Sequence, residues 1–85
     1  MRNHLDILKD IEIILSENNL ISEKEEIEKE ISASSTGLEL LSRCGSQLTI
    51  MVNRNNENQN LIGHLTKEFL SYCNSNGIIF TDTIL

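Results

Sequence analysis

Residues 36–52 read TGLELLSRCGSQLTIMV and predict a long amphipathic helix. Thr36 and Glu39 have the spacing of a capping box, in which the hydroxyl and the carboxylate each accept a backbone N–H at a helix start. Beyond them, apolar residues recur every three or four positions, which is typical of a helix in the middle of a bundle. This apolar stripe comprises Leu38, Leu41, Gly45, Leu48 and Val52, with Leu40, Cys44 and Met51 beside it.

Two amphipathic helices are predicted upstream. From Leu5 to Leu15, one helical face is formed by Ile7, Leu8, Ile11, Ile14 and Leu15. Asn3 is placed to cap the start and Asn18-Asn19 to end the helix. A second, shorter helix is predicted to begin at a capping box formed by Ser22 and Glu25. It turns only Ile27 and Ile31 inward.

Downstream, residues 53–60 read NRNNENQN and contain no apolar side chain. Asn side chains compete for helical backbone hydrogen bonds, so this segment predicts an exposed loop. A fourth helix should follow, capped by Asn58 or Asn60 and ended by Gly77 in a left-handed conformation. Its apolar positions are Leu61, Leu65, Phe69 and Cys73.

These patterns predict an all-α fold, a small antiparallel bundle of three to four helices in a single domain spanning residues 1–85, with a short apolar C-terminal tail. The tail, residues 78–85, reads IIFTDTIL and either folds back over the core or docks elsewhere. Folding back is favoured because Ile78, Ile79 and Phe80 are too apolar to leave in water cheaply.

The net charge of −6 lies mostly within the first third of the chain. A field of this sign disfavours nucleic acid and anionic membranes and favours encounter with one basic protein partner. The run of five glutamates in the second helix is interpreted as a solvated face, as a partner-docking surface or, with least support, as a cation site, since no EF-hand or Glu-x-x-His pattern is present. The predicted partner-binding residues are Glu23, Glu25, Glu26, Glu28, Glu30 and Arg54.

A catalytic role is not expected. A thiol–imidazole pair of Cys44 and His64 would need a Gly-rich nucleophile turn and a third orienting residue, and the sequence has neither. Cys44 and Cys73 lack metal-ligand spacing. We therefore expect buried thiols and neither a cofactor nor a metal. The first ten residues interleave charged and apolar side chains, which predicts no secretion signal and hence a cytoplasmic location.

Gly45 requires a close neighbour, which is either another helix of this chain or an inserted partner side chain.

The segment Ser35-Thr36-Gly37-Leu38-Glu39-Leu40-Leu41-Ser42-Arg43, with the helical hairpin that follows to Gly77, resembles the small acidic helical immunity proteins of bacterial toxin–immunity pairs. The resemblance covers about half the chain. It implies an inhibitor that binds a cognate toxin domain, often a basic nuclease, and occludes its working surface. The alternative is a homo-oligomeric structural or adaptor protein, such as a homodimer, in which Phe80, Ile84 and Leu85 complete a shared core.

Overall fold

The computed structural model describes residues 3–80, which contain four helices and no strand. The helices are α1 (His4–Glu17), α2 (Ile21–Ala33), α3 (Gly37–Arg54) and α4 (Asn56–Ser75). Each helix packs against the next in the chain, and α4 closes the bundle against α1. The predicted all-α bundle is therefore confirmed, with four helices. The predicted positions of Ile84 and Leu85 lie outside the described residues.

α3 contributes more buried apolar residues to the core than any other helix, in line with its predicted central position. Leu41, Leu48 and Val52 are buried, whereas α2 contributes one fully buried residue, Ile27. Leu38 departs from the prediction, because its side chain is 59% exposed in the first turn of α3. The buried apolar residues are Ile7, Leu8, Ile11, Leu15, Ile27, Leu40, Leu41, Cys44, Leu48, Met51, Val52, Ile62, Phe69 and Cys73.

Several predicted helix ends are confirmed. Asn3 caps α1 by accepting the Asp6 N–H at 3.0 Å. Thr36 caps α3 by accepting the Glu39 N–H at 3.1 Å. Gly77 has a φ of 84° and ends α4, and the Ile78 N–H then donates to the carbonyl of Cys73 at 2.9 Å, as in a Schellman motif.

The predicted Ser22 cap is wrong, because α2 begins at Ile21 and has Leu20 as its N-cap residue. Asn19, with a φ of 60°, ends α1 so that the Leu20 N–H donates to the Leu15 carbonyl at 2.8 Å. The Leu20 carbonyl in turn accepts the Lys24 N–H at 3.0 Å, which is the first hydrogen bond of α2. The end of one helix therefore fixes the start of the next without a side-chain cap.

The predicted loop over residues 53–60 is also wrong. Asn55 alone separates α3 from α4, and its side chain accepts the Asn58 N–H at 2.8 Å. Asn58 does not cap the helix as predicted but lies inside it, 1% exposed. Its side-chain amide donates to the Met51 carbonyl at 3.0 Å and to Glu23 Oε2 at 2.9 Å, which satisfies the buried polar group.

The start of the C-terminal tail folds back over the bundle, as favoured from its composition. Ile78 and Phe80 pack against the buried core. A Cβ atom built on Gly45 would lie 2.7 Å from two ring carbons of Phe80 and 3.3 Å from Cys73 Sγ. The close neighbours that Gly45 requires are therefore the tail and α4 of the same chain.

Candidate protein-binding surfaces

Three predicted site residues, Glu23, Glu26 and Arg54, meet in one ion-pair network between α2 and α3. The Arg54 guanidinium donates to Glu23 Oε2 at 3.2 Å and to both carboxylate oxygens of Glu26 at 3.1 Å. Gln47 adds a hydrogen bond to Glu26 Oε2 at 2.9 Å. The hydrogen bond from Arg54 is the main cause that lowers the pKa of Glu26, against the opposing effect of burial.

This network binds the helices of the chain to each other. The Glu23 side chain is only 13% exposed, because Arg54 covers it on one side and Asn58 donates to it from α4. Paired charges of this kind attract a partner less strongly than free ones, since the opposite charge is already in contact.

Glu30 of α2 is paired in the same way with Arg43, which lies about three turns from Arg54 along α3. Its carboxylate lies 3.4 Å from Arg43, which also lies 3.5 Å from Glu39. Within α3, two arginines outnumber the single glutamate, so the helix has a net charge of +1 and faces the acidic helix α2.

The remaining predicted residues, Glu25 and Glu28, point into solvent. Lys24 lies 3.8 Å from Glu28 in an i,i+4 ion pair. Across the α1–α2 boundary, burial and the neighbouring Glu28 carboxylate both raise the pKa of Glu12, and burial has the larger effect. The carboxyl groups of Glu12 and Glu28 are close enough to share a hydrogen bond when Glu12 is protonated, and they repel each other when both are ionised.

Two apolar side chains of α1 are exposed, Leu5 in the first turn (54%) and Ile13 in the middle of the helix (46%). Ile13 separates two shallow grooves. One groove, of about 410 Å³, lies between α1 and α4 and is lined by Asp10, Ile13, Ile14, Leu61, His64 and Leu65. The other, of about 320 Å³, lies between α1 and α2 and is lined by Lys9, Glu12, Ile13, Ser16, Glu17 and Lys24.

Sequence reasoning missed Ile13 and Glu12, although a signal was present. The stretch Ile11-Glu12-Ile13-Ile14-Leu15 contains one more apolar residue than a single helical stripe can hold. The additional residue must point away from the core. That residue is Ile13, since Ile11 and Leu15 are fully buried.

A third groove lies on the opposite side of the bundle, against the small residues of α3. It has a volume of about 630 Å³ and is lined by Ser46, Thr49, Ile50, Asn53, Arg54, Ile79 and Phe80. Ile50 and Ile79 are 50% and 70% exposed, so the wall nearest the tail is apolar. Phe80 fills the space above Gly45 at one end of this groove.

The two thiols are buried in the core, as predicted. Burial and the nearby charge of Glu30 raise the pKa of Cys44 to about 12, and burial raises the pKa of Cys73 to about 11. Both thiols are therefore protonated at neutral pH and are weak nucleophiles. His64 lies on the exposed face of α4, at the rim of the α1–α4 groove.

Within residues 3–80, no group of three or more His, Cys, Asp or Glu side chains is arranged to hold a metal ion. No helix in the described part of the chain is both long and apolar enough to cross a membrane. Comparison with protein families, with curated proteins and with solved structures finds no match to this chain.

Proposed function

We propose that this protein is a small acidic protein-binding module that neutralises or regulates one basic protein partner in the cytoplasm. The main support is the way in which its charges are distributed. Arginines of α3 pair with Glu23, Glu26 and Glu30, and the other two glutamates of α2 are balanced by its two lysines, so the acidic field that remains lies mainly over α1. On α1, four carboxylates outnumber one lysine and give a net charge of −3.

The contact between Glu12 and Glu28 is the observation that carries this proposal. Two ionised carboxylates in contact repel each other; Lys24, 3.8 Å from Glu28, offsets part of this cost, and a further lysine or arginine from a partner would relieve the rest. Stability given up at a surface in this way is typical of residues kept for binding. Among the predicted glutamates, Glu25 and Glu28 are therefore the strongest candidates for partner contact.

The experiment begins with affinity purification of the tagged protein from its native host and identification of any stoichiometric partner by mass spectrometry. Association with the purified partner is then measured by stopped flow at several salt concentrations. We expect the association rate to fall steeply as salt rises, because charge steering is screened.

A pair of charge-matched variants locates the effect. Glu28→Gln and Glu57→Gln each remove one negative charge, the first at the α1–α2 boundary and the second in the first turn of α4. Glu28→Gln should slow association severalfold, whereas Glu57→Gln should have little effect. Equal effects of the two variants, or a rate independent of salt, would argue against a steering role for this face.

The resemblance to immunity proteins makes a toxin domain the specific partner we propose. Under this proposal, the partner arrests growth of the host when it is produced alone. Production of the present protein together with it should restore growth, and Glu28→Gln should restore growth less well than Glu57→Gln.

The second proposal is a homodimer or adaptor, and the apolar wall formed by Ile50 and Ile79 favours it. Phe80 packs against the core of its own chain, so only its remaining exposed part could contribute to a shared core. Sedimentation equilibrium separates the two proposals. A dimer that Ile50→Ser dissociates would support self-association, and a monomer over the whole concentration range would exclude it.

A further inference from the structure

We infer that the groove between α1 and α4 receives a basic amphipathic helix of the partner, which inserts an apolar side chain beside Ile13. This inference rests on the proposed function, because it names the surface and the chemistry by which the module would bind. It also moves the centre of the interface from the predicted glutamates of α2 to the adjoining face of α1.

The shape and composition of the groove support an apolar contact. Ile13 and Ile14 from α1 face Leu61 and Leu65 from α4, and Asp10 and His64 lie among them. Its volume of about 410 Å³ falls in the range of about 300–1000 Å³ common for binding pockets. An exposed isoleucine between two grooves, surrounded by polar groups, has the arrangement of an interface hot spot.

The charge of the two helices that form the groove indicates which kind of partner helix would bind there. Both helices that form the groove are acidic: α1 has a net charge of −3, and α4 has two glutamates against one lysine, for a net charge of −1. The adjoining groove on the other side of Ile13 has two glutamates, Glu12 and Glu17, balanced by two lysines, so the negative field belongs to the α1–α4 side. A helix with an apolar stripe and lysine or arginine on its flanks is complementary to this surface, as in other helix-in-groove complexes.

The groove on α3 provides an internal comparison. It is larger and has a similarly exposed isoleucine, Ile50, but none of its lining residues is a carboxylate, and its one charged residue, Arg54, is cationic and already paired within the chain. The helix that forms its floor has a net charge of +1. A basic helix should therefore prefer the α1–α4 groove, even though apolar surface is present on both sides.

The test uses a synthetic amphipathic helix of leucine and lysine as the probe, titrated into the ¹⁵N-labelled protein and followed by NMR. We expect the largest amide shifts near Ile13, Leu61 and His64, with saturation. Ile13→Ser should weaken binding by about tenfold or more. Ile50→Ser, at a side chain of similar exposure, should leave binding unchanged, and circular dichroism checks that both variants fold.

Four results would each overturn the inference: shifts centred on α3, equal effects of Ile13→Ser and Ile50→Ser, the absence of saturable binding, or equal binding of a leucine–glutamate helix. The probe does not depend on the natural partner, so this result is independent of the affinity purification. If the natural partner binds but tolerates Ile13→Ser, the groove is wrong and the binding module stands. If no partner is recovered, the proposed function is wrong, whatever the result with the synthetic helix.

Discussion

Gly45→Ala tests the contact between the C-terminal tail and α3. The added methyl group would lie 2.7 Å from two ring carbons of Phe80, which is too close for the ring to stay in place. The ring is the end of a movable side chain on a terminal segment, so it should swing away from α3. The same change replaces a helical glycine by alanine, which by itself stabilises a helix by about 1 kcal/mol.

The two effects have opposite signs and similar size. Full burial of a phenylalanine side chain contributes about 1.5–3 kcal/mol, and Phe80 is only partly buried, so its displacement should cost about 1–1.5 kcal/mol. Gly45→Ala should therefore change the free energy of unfolding of the wild-type protein very little. In a Phe80→Ala background the same substitution should stabilise the protein by up to about 1 kcal/mol, reduced by the contact with Cys73.

Urea denaturation of the four proteins in this double-mutant cycle measures the coupling. We expect a coupling energy of about 1–1.5 kcal/mol, well above the ~0.5 kcal/mol within which independent sites add. Additive effects would show that Phe80 does not occupy the space above Gly45. Equal destabilisation by Gly45→Ala in both backgrounds would assign the conflict to Cys73 instead.

Three further predictions concern the titrating groups. Arg54→Gln should lower the free energy of unfolding at pH 7 by up to about 1 kcal/mol. Because Arg54 lowers the pKa of Glu26, its contribution is present above the ordinary carboxyl pKa range and is lost in acid. The urea midpoints of variant and wild type should therefore converge below about pH 4, and a difference that stays constant with pH would contradict the assignment. Glu12→Gln should have the reverse pH dependence, because the pKa of Glu12 is raised and stability falls as pH rises through it. The free energy of unfolding of the variant should exceed that of wild type by roughly 0.5 kcal/mol at pH 7 and should equal it near pH 3. A lower free energy of unfolding at pH 7 would refute the like-charge contact. Cys44 and Cys73, with pKa values of about 12 and 11, should react with iodoacetamide at neutral pH far more slowly in the native protein than in urea. Mass spectrometry follows the reaction. A fast reaction in the native protein would support a catalytic role for a thiol.

Most of the fold could be predicted because its signals are local. A capping hydroxyl at Thr36 and a left-handed glycine at Gly77 act within one turn of helix, and the apolar period of α3 needs only that helix to be read. The four-helix bundle then follows from short connections between amphipathic segments. None of these steps requires knowledge of which residues meet across the bundle.

The Asn-rich segment could not be predicted because its stability is not local. Asparagine lowers helix propensity by only a fraction of a kcal/mol per residue, and contacts elsewhere in the fold readily exceed that cost. Here Asn55 caps α4, and Asn58 is held by Met51 and Glu23 from two other helices. The same residues that indicate a loop in the sequence provide the polar contacts of a tight helical corner.

Some features of the candidate site could likewise be predicted from the sequence, whereas others depend on how the helices pack. A count of charges along the chain identifies α2 as acidic, but only the packing shows that Arg54 and Arg43 satisfy one side of it. What remains for the proposed partner is the side away from Arg43 and Arg54, where Glu28 meets Glu12 and where Ile13 is exposed. A close carboxyl pair and an exposed isoleucine lie on the same face, and a basic amphipathic partner would contact both at once. That combination, which neither charge nor periodicity shows alone, favours the face around α1 as the binding surface.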